Sequence, residues 1–378
     1  MINSPLSVVC RTSNLRSDSR AQRIVLSQLS SHRVTYFGLT RGQGEHFLWS
    51  PERHFSHKLT YRLLSSPGHG GGYTIIWRLL FLQLNICFYL LKNRSRLVNV
   101  ICCDLDSAFL PSLICCFLRI NFIYDVFDFT FASRVPSSPH FFSKFLKGVF
   151  SLLELLVCLV SKKIILPTSS RLEQLPGLHK FSHKVSVVPN SPCVDQLTIK
   201  EPEASKINTF YFSLRHKYKI IITYVGTLQH HRNLDWLLNA VASLDNVCVV
   251  VAGTGPLYSF FRDSKQKNMF FRGQVIYNHA LHMYHLSDFM FAGYTLNDSN
   301  NFYAAPNKLW ESVCLRKRLL LNSSYIKSNI PYADHSLLSL YSSQDHLRCI
   351  ISNSSTSSYS NVNYDPRFVS DSYFHNYS

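Results

Sequence analysis

Two basic residues in the second half of the chain stand where they could stabilise a phosphate group. Arg232 follows a glycine turn at Gly226, and Lys308 lies near the start of a helix that Pro306 is expected to open as its first residue. The backbone N–H groups after such a proline attract anions. Considered alone, each of the two residues is better explained as an ordinary solvated surface charge. Taken together with two helix N-termini, they favour a diphosphate site.

Other residues of the same stretch fit a nucleotide. Glu311, one turn into that helix, could accept hydrogen bonds from ribose hydroxyls, although a surface glutamate favoured by the helix dipole shows the same pattern. Gly253 and Gly255 resemble the start of a dinucleotide-binding fingerprint, but Tyr258 holds the position of its third glycine. A plain strand-to-helix turn explains these glycines better, and such a turn still admits a phosphate or a sugar.

Paired carboxylates in the first half suggest a different chemistry. Asp104 and Asp106 follow an apolar run, and two carboxylates suit Mg²⁺ or Mn²⁺. A capping role for Asp106, ahead of a helix over 109–118, accounts for the pattern equally well. Asp125 and Asp128 end the next apolar run, so we expect an acidic edge on the first domain. The sequence contains no nucleophile elbow, P-loop or zinc-ligand spacing.

Apolar strands that alternate with amphipathic helices position these residues. In the second half, the expected strands are Ile220–Val225, Val247–Ala252, Asp288–Phe291 and Leu319–Leu321, with helices over 234–241 and from Pro306. Continuous apolar strands are typical of parallel β-α-β winding with both sheet faces covered. Ligands bind such sheets at the carboxyl ends of the strands, where the glycines and cations fall.

The first half follows the same alternation. Its expected strands are Leu6–Cys10, Val34–Phe37, Val98–Cys103, Ile120–Asp128, Lys163–Pro167 and Lys184–Asn190, with a helix from Asp18 to Leu29. Residues 41–69 show no clean period and are expected to be irregular. Residues 191–219 are expected to form a linker, since prolines interrupt them. Residues after 339 form either a poorly packed tail or a region that docks back on the first domain.

Composition limits the number of domains, the class of partner and the compartment that the protein can have. The 378 residues suit two α/β domains, and 46% hydrophobic residues allow sizeable cores. The formal net charge of +17 indicates an anionic partner. The 11 cysteines are odd in number and show no C-x-x-C spacing, which favours reduced thiols in the cytosol. No N-terminal signal peptide is expected.

Two long apolar segments raise the question of a membrane. Tyr73–Lys92 approaches the length of a spanning helix but is interrupted by Arg78 and Gln83, so a core helix is favoured over an interfacial membrane helix. Phe141–Val160 contains Lys144 and Glu154, and its apolar part is too short to span.

With these residues assembled, the sequence resembles glycosyltransferase family 4, whose members have the GT-B fold. The resemblance rests on Tyr224–Leu228 with Arg232–Asp235, on Ala252–Leu257, on Phe271–Val275, on Tyr284 with Ser287-Asp288, and on the helix start Pro306–Glu311. It implies two Rossmann-like doubly wound domains that face a cleft. Residues 1–200 would form the acceptor-side domain, 215–345 the nucleotide-sugar-binding domain, and 346–378 a Ser-, Asn- and Tyr-rich tail that could return to the first domain.

The resemblance also implies an activity, which is retaining transfer of a sugar from a UDP- or GDP-linked donor. Catalytic roles fall to Arg232, Lys308 and Asp104, and no metal and no further cofactor are expected. The expected donor-binding residues are Gly226, Thr227, Arg232, Gly253, Gly255, Val275, Asn307, Lys308, Leu309 and Glu311. The expected acceptor is a lipid-linked saccharide or a polysaccharide. Peripheral contact with the cytoplasmic face of an anionic membrane would account for the basic surplus.

Departures from the family pattern keep two rivals open. Tyr303 stands where many members carry a second glutamate, Thr227 stands where they often carry an arginine, and Ile101 and Cys103 stand where histidines are common. A catalytically degenerate GT-B protein that assists assembly at a membrane is the first rival. A metal-dependent transferase using Asp104 and Asp106 is the second. A nucleic-acid binder ranks behind both, because no recognition helix or aromatic-basic platform stands out.

Overall fold

The computed structural model describes residues 4–15, 18–41, 56–66, 74–130, 141–294, 303, 305–322, 335–354 and 375–377. The chain forms two compact units. Met1–Pro189 together with Ser370–Ser378 makes the first unit, and Asn190–Val369 makes the second. Each unit is built on one parallel sheet, so the expected α/β class with two Rossmann-like domains is confirmed.

The first unit has a seven-stranded sheet in the order β3-β2-β1-β4-β5-β6-β7, with all neighbours parallel. Its strands are β1 Leu6–Cys10, β2 Arg33–Arg41, β3 Leu59–Ser66, β4 Leu97–Cys103, β5 Asn121–Asp125, β6 Lys163–Leu166 and β7 Val185–Val187. Its helices are α1 Ser19–Leu29, α2 Thr74–Asn93, α3 Leu105–Leu118, α4 Phe141–Val160 and α5 Arg171–Gln174.

Side chains alternate across this sheet and build a core on each face. Val9, Ile101 and Ile123 point to the face that α1 covers. Val8 and Val100 point to the opposite face, which is covered by α2, α3 and α4. Both faces are therefore closed by helices, as parallel sheets require.

The second unit has a six-stranded parallel sheet in the order β10-β9-β8-β11-β12-β13. Its strands are β8 Ile220–Val225, β9 Val247–Ala252, β10 Met269–Phe271, β11 Phe289–Ala292, β12 Arg318–Asn322 and β13 Leu338–Tyr341. Its helices are α6 Val194–Leu197, α7 Glu203–Arg215, α8 Leu234–Val241, α9 Tyr258–Arg262, α10 Tyr277–His285, α11 Asn307–Cys314 and α12 Gln344–Ser352. Helices α8 and α12 pack on one face, and α7, α10 and α11 pack on the other.

Several expected elements are corrected by the structure. The expected linker over 191–219 contains α7, which belongs to the second unit because Tyr211 and Leu214 are buried against its sheet. The expected irregular region over 41–69 contains the edge strand β3. The region after 339 was expected to form a poorly packed tail or to dock on the first domain, but β13 and α12 lie there and belong to the second unit.

Two expected helix starts are also wrong. Pro306 is the N-cap of α11 and not its first residue, so the helix begins at Asn307. Helix α3 begins at Leu105 and not at Phe109, which places Asp106 inside its first turn and rules out the capping role.

The expectation that Tyr73–Lys92 is a core helix holds for one side of the helix, which packs Leu82, Ile86 and Leu90 into the core of the first unit. In α2 only Leu82, Ile86, Cys87 and Leu90 are buried. The stretch Thr74–Arg96 is also the one helix among the described residues that is long and apolar enough to cross a membrane, with a mean hydropathy of 1.7. Length and composition alone are weak evidence for a span.

Candidate functional site

Loops that follow neighbouring strands meet at the carboxyl edge of the second sheet. Gly226, directly after β8, donates its N–H to the carbonyl of Ala252 at 3.0 Å. Gly253, directly after β9, donates to the carbonyl of Gly273 beyond β10 at 2.8 Å. This chain of backbone hydrogen bonds ties three loops into one rim.

Glycine is required where these loops touch. A Cβ at Gly253 would lie 1.8 Å from the carbonyl oxygen of Gly226, and Gly253 also has a positive φ of 143°. A Cβ at Gly293, after β11, would lie 2.2 Å from the carbonyl oxygen of Arg232. Only glycine permits such close backbone approach, so the glycines determine where the Arg232 loop runs.

Lys308 reaches into this rim from the first turn of α11. Its ammonium nitrogen lies 4.7 Å from the ring centroid of Tyr224. A Cβ at Gly226 would lie 3.0 Å from the same nitrogen. The ammonium therefore sits over the first glycine turn, beside the N-terminus of a helix that adds a positive potential of its own.

Arg232 brings a second positive charge to the same place. It ends a short 3₁₀ helix, His230–Arg232, in the loop before α8. Its guanidinium carbon lies 4.7 Å above the ring of Tyr294, which follows Gly293. Both cations thus rest on tyrosine rings, which attract positive charge by their π electrons without neutralising it.

Burial has the largest effect on the charge of Lys308. The pKa of Lys308 is lowered from 10.5 to about 8, mainly by burial and in smaller part by the nearby positive charge of Arg232. The carboxylate of Glu311 opposes this shift. The ammonium remains charged at neutral pH, but its charge is destabilised until an anion arrives.

Glu311 lies on the next turn of α11 and is 3% exposed. One carboxylate oxygen accepts a hydrogen bond of 2.8 Å from the hydroxyl of Tyr277. Tyr277 is the first residue of α10, directly after the loop that follows β10. The hydroxyl therefore links the carboxylate to the start of α10, next to the loop that follows β10.

The remaining residues of the expected donor set take different positions. Thr227 and Asn307 are exposed at the rim, and Val275 is partly buried near it. Gly255 packs against the next turn of the Gly226 loop, since its Cβ would lie 2.5 Å from the carbonyl oxygen of Leu228. Leu309 is buried in the core, so its side chain anchors α11 to the sheet.

Asp104, the remaining residue expected to be catalytic, lies in the first unit. Its backbone has a positive φ of 58° at the end of β4. One carboxylate oxygen pairs with Arg11, and the other accepts from the N–H groups of Phe127 and Asp128 at 2.7 and 3.1 Å. Burial raises the pKa of Asp104 to about 6, although Arg11 opposes the shift.

These contacts bear on the metal alternative. Both oxygens of Asp104 are engaged in holding the loops after β1 and β5. Asp106 lies in the first turn of α3, and its carbonyl accepts from Gln83. Within the described ranges, no cluster of three or more His, Cys, Asp or Glu side chains is arranged to hold a metal ion.

Other charges at the carboxyl edge of the first sheet are also paired. Arg20 on α1 contacts Asp125 at 2.5 Å, and the hydroxyl of Tyr377 donates to the other oxygen of Asp125 at 2.9 Å. Arg171 contacts Asp128 at 2.7 Å. The expected acidic edge is present in sequence, but arginines neutralise it.

Sequence reasoning missed three residues of the second unit's site, namely Tyr277, Gly293 and Tyr294. A signal for Gly293 was available, because it follows an apolar strand directly, as Gly226 and Gly253 do. The sequence contains no such signal for Tyr277 and Tyr294, because their roles depend on which loops meet in the fold.

The fold agrees with that of several solved structures. The Anabaena protein HepE in complex with UDP and glucose superimposes with a TM-score of 0.61 at 11% identity, over 92% of this chain and 88% of that one. Sucrose-phosphate synthase from Thermosynechococcus elongatus gives a TM-score of 0.61 at 10% identity, over 92% and 89%. UDP-GlcNAc 2-epimerase from Methanocaldococcus jannaschii gives 0.53 at 12% identity, over 97% and 96%.

These similarities confirm the GT-B fold that the sequence predicted. No protein-family model matches the chain. No curated protein matches it in sequence either. At such low identity the likeness establishes the fold alone, and the chemistry has to be argued from the residues of the site.

Proposed function

We propose that this protein is a glycosyltransferase of family 4 that moves a sugar from a UDP- or GDP-linked donor to a saccharide acceptor, with retention at the anomeric carbon. One observation carries the proposal. Lys308 and Arg232 converge on the Gly226 turn at the carboxyl edge of the second sheet, where both rest on tyrosine rings. Such a pair of cations suits a diphosphate.

The proposed reaction needs positive charge where the diphosphate leaves. The acceptor hydroxyl bonds to the anomeric carbon as the bond from that carbon to the phosphate oxygen breaks, and the hydroxyl proton departs with the diphosphate. Negative charge develops on the phosphate oxygen. Lys308, Arg232 and the N-terminus of α11 would stabilise it because they are already in place before the reaction. Fixed cations can do this work without a metal ion.

Glu311 supplies the second half of the donor site in this proposal. Its buried carboxylate would accept hydrogen bonds from the ribose hydroxyls. The UDP complex of HepE and the complex of the E. coli trehalose-6-phosphate protein with UDP-2-fluoroglucose support a nucleotide-sugar as the ligand class for this fold. Glu311 lies one turn beyond Lys308, so one helix would contact both ribose and phosphate.

The acceptor and the location extend the proposal. We propose a lipid-linked saccharide in surface polysaccharide biosynthesis, reached by peripheral attachment to the cytoplasmic face of an anionic membrane. The net charge of +17 supports an anionic surface as partner. Asp104 would then hold the loops of the acceptor-side unit in place through Arg11 and the backbone of Phe127 and Asp128.

The test begins with binding. Ligands that bind only the folded state raise the melting temperature, so the purified protein is screened against UDP, GDP, UMP and UDP- or GDP-sugars. We expect a diphosphate to stabilise the protein more than the matching monophosphate. Equal stabilisation by UMP and UDP, or none by any nucleotide, contradicts the proposed diphosphate site.

Turnover then separates the remaining possibilities. Release of UDP or GDP from the bound sugar donor, with and without a chelator, is followed together with the fate of the sugar. We expect release that survives the chelator. Loss with the chelator supports the metal-dependent rival, binding without release supports the degenerate rival, and an epimerised nucleotide-sugar points to the chemistry of the epimerase with the same fold.

A further inference from the structure

Large apolar side chains are exposed on the three helices that cover one face of the first sheet. Helices α2, α3 and α4 lie side by side, since α3 contacts both of the others. Their exposed large apolar residues are Ile76, Trp77, Leu80, Phe81, Leu84, Phe88, Leu91, Leu113, Phe117, Phe141, Phe142, Phe145, Val149, Leu152, Leu156 and Leu159. We call this surface the three-helix face.

The exposure is not explained by the packing of the sheet. Helix α2 already buries Leu82, Ile86 and Leu90 in the core of the unit, and α4 buries Val157 and Cys158. The opposite sides of these helices are apolar too, with Trp77 and Phe88 each 71% exposed. Surface helices normally turn a polar side to water, so an apolar outer side marks an interaction surface.

The charges on the three-helix face have one sign. Arg78, Lys92 and Lys144 are exposed among the apolar residues. The two acids of these helices do not balance them, since Glu154 is fully buried and Asp106 is partly buried. An apolar surface with basic side chains and no exposed carboxylate complements an anionic lipid surface.

We propose that the three-helix face docks on an anionic bilayer, with α2 and α4 lying in the plane of the interface. This proposal names the surface that makes the membrane contact proposed above. It rests on the proposed function only for the identity of the acceptor. The aromatic side chains enter the boundary between headgroups and acyl chains, and the basic side chains contact lipid phosphates.

Two other occupants fit the residues less well. A spanning helix is surrounded by lipid, whereas Leu82, Ile86 and Leu90 of α2 pack into the protein core. A second copy of this chain would bring Arg78, Lys92 and Lys144 against an equally basic surface without an exposed carboxylate to pair with them.

The first experiment measures binding of the full-length protein to vesicles by flotation, in the absence of donor and acceptor. Vesicles of phosphatidylcholine are compared with vesicles of phosphatidylcholine and phosphatidylglycerol in equal parts. We expect strong flotation only with the anionic vesicles. The combined variant Trp77→Ser, Phe88→Ser and Phe142→Ser should bind them at least about tenfold more weakly, since each change removes apolar area from the interface.

The matched control changes two exposed aromatic residues of the second unit. Phe212 and Phe260 are 66% and 58% exposed, so Phe212→Ser with Phe260→Ser removes apolar area of the same kind from another surface. It should leave flotation unchanged. Equal flotation of wild type and the triple variant overturns the proposal, as does a dimer in solution that the triple variant converts to a monomer.

The second experiment separates in-plane docking from spanning. Quenching of Trp77 fluorescence, taken as the difference between wild type and Trp77→Phe, is measured with lipids brominated at shallow or deep acyl positions. The same is done for Trp introduced by Leu84→Trp in the Trp77→Phe background. Seven helical residues rise about 10 Å. Equal, shallow depths support the in-plane arrangement, and depths that differ by about that amount overturn it.

Failure of the proposed transferase would leave these results unaffected, because vesicle binding needs neither donor nor acceptor. Failure of vesicle binding would likewise leave the nucleotide-induced thermal shift unaffected, because that shift is measured without lipid.

Discussion

The carboxyl edges of the two parallel sheets use basic residues in opposite ways. In the first unit, arginines meet carboxylates: Arg20 contacts Asp125, and Arg11 contacts Asp104. These ion pairs hold the loops that follow β1, β4 and β5, and in each pair the positive charge is neutralised by its carboxylate. The first edge is stabilised as a scaffold.

In the second unit, the basic residues lie on aromatic rings. Arg232 lies over Tyr294 and Lys308 over Tyr224. Burial is the main cause of the lowered pKa of Lys308, Glu311 opposes the shift, and the positive charge of Arg232 adds to it. Rings orient a charge without cancelling it. The difference teaches that basic residues at the same edge of similar sheets can have two roles. A cation paired with a carboxylate stabilises the fold, whereas a cation on an aromatic ring can still bind an anionic ligand.

The largest expected effect is on the stability of the first unit. Arg20→Ala leaves the carboxylate of Asp125 buried without its cation, which should lower the free energy of unfolding by about 3–5 kcal/mol. Chemical denaturation followed by circular dichroism measures this. Arg33→Ala removes an exposed arginine from β2 and should change stability by less than about 0.5 kcal/mol. Similar losses in both variants would remove the scaffold role of the Arg20 pair.

The second prediction concerns chemistry in the second unit. Lys308→Ala should lower kcat/KM for the sugar donor by about a hundredfold to a thousandfold, since a charge that stabilises the leaving diphosphate is removed, while the melting temperature stays near that of wild type. Steady-state release of UDP or GDP measures it. Lys265→Ala, an exposed lysine ahead of β10, is the control for loss of charge alone. Full activity of Lys308→Ala would exclude Lys308 from the mechanism.

The third prediction concerns how the affinity for a diphosphate at Lys308 depends on pH. Below the pKa of about 8, Lys308 is charged in the free protein, so its contribution to diphosphate affinity is fully present. Above it, binding must take up a proton, and affinity should weaken by up to about tenfold per pH unit. Titration calorimetry from pH 7 to 9.5 measures this. Lys308→Arg should flatten the profile, because a guanidinium remains charged; an unchanged profile in that variant would assign the titration to another group.

The smallest expected effect sharpens the role of Glu311. Tyr277→Phe removes one hydrogen bond from its carboxylate, so nucleotide affinity should fall about two- to tenfold. The preference for UDP over 2′-deoxy-UDP should shrink, because a less well oriented carboxylate discriminates less between the two sugars. Tyr218→Phe removes a hydroxyl from the opposite end of the same unit and should change neither quantity. A preserved preference would leave Tyr277 with a structural role only.

The sequence predicted what depends on local pattern. Continuous apolar runs revealed β8 and β9, and the spacing of Pro306, Lys308 and Glu311 placed both functional side chains on one helix. Strand β3 was missed because it is an edge strand with polar and apolar residues mixed. The helix α7 was taken for a linker because Pro192 and Pro202 precede it, although its buried face places it in the second unit.

The site was predictable in its charges and not in their surroundings. That Arg232 and Lys308 meet follows from strand order, since the loops after parallel strands share an edge. Which ring each cation rests on, and that Tyr277 reaches Glu311, depends on contacts between segments far apart in the chain. No periodicity encodes such contacts, and the same holds for the pairing of Asp104 with Arg11.

Tyr377 has a consequence for any attempt to divide this protein. Its hydroxyl reaches Asp125, and its carbonyl accepts from the side chain of Gln28 at 2.8 Å, although the whole second unit, Asn190–Val369, lies between them in the chain. A fragment that ends at Pro189 would lack Tyr377 and would leave a gap where this residue packs against α1. An affinity tag or a premature stop codon near Tyr377 would disturb the half of the molecule that is translated first.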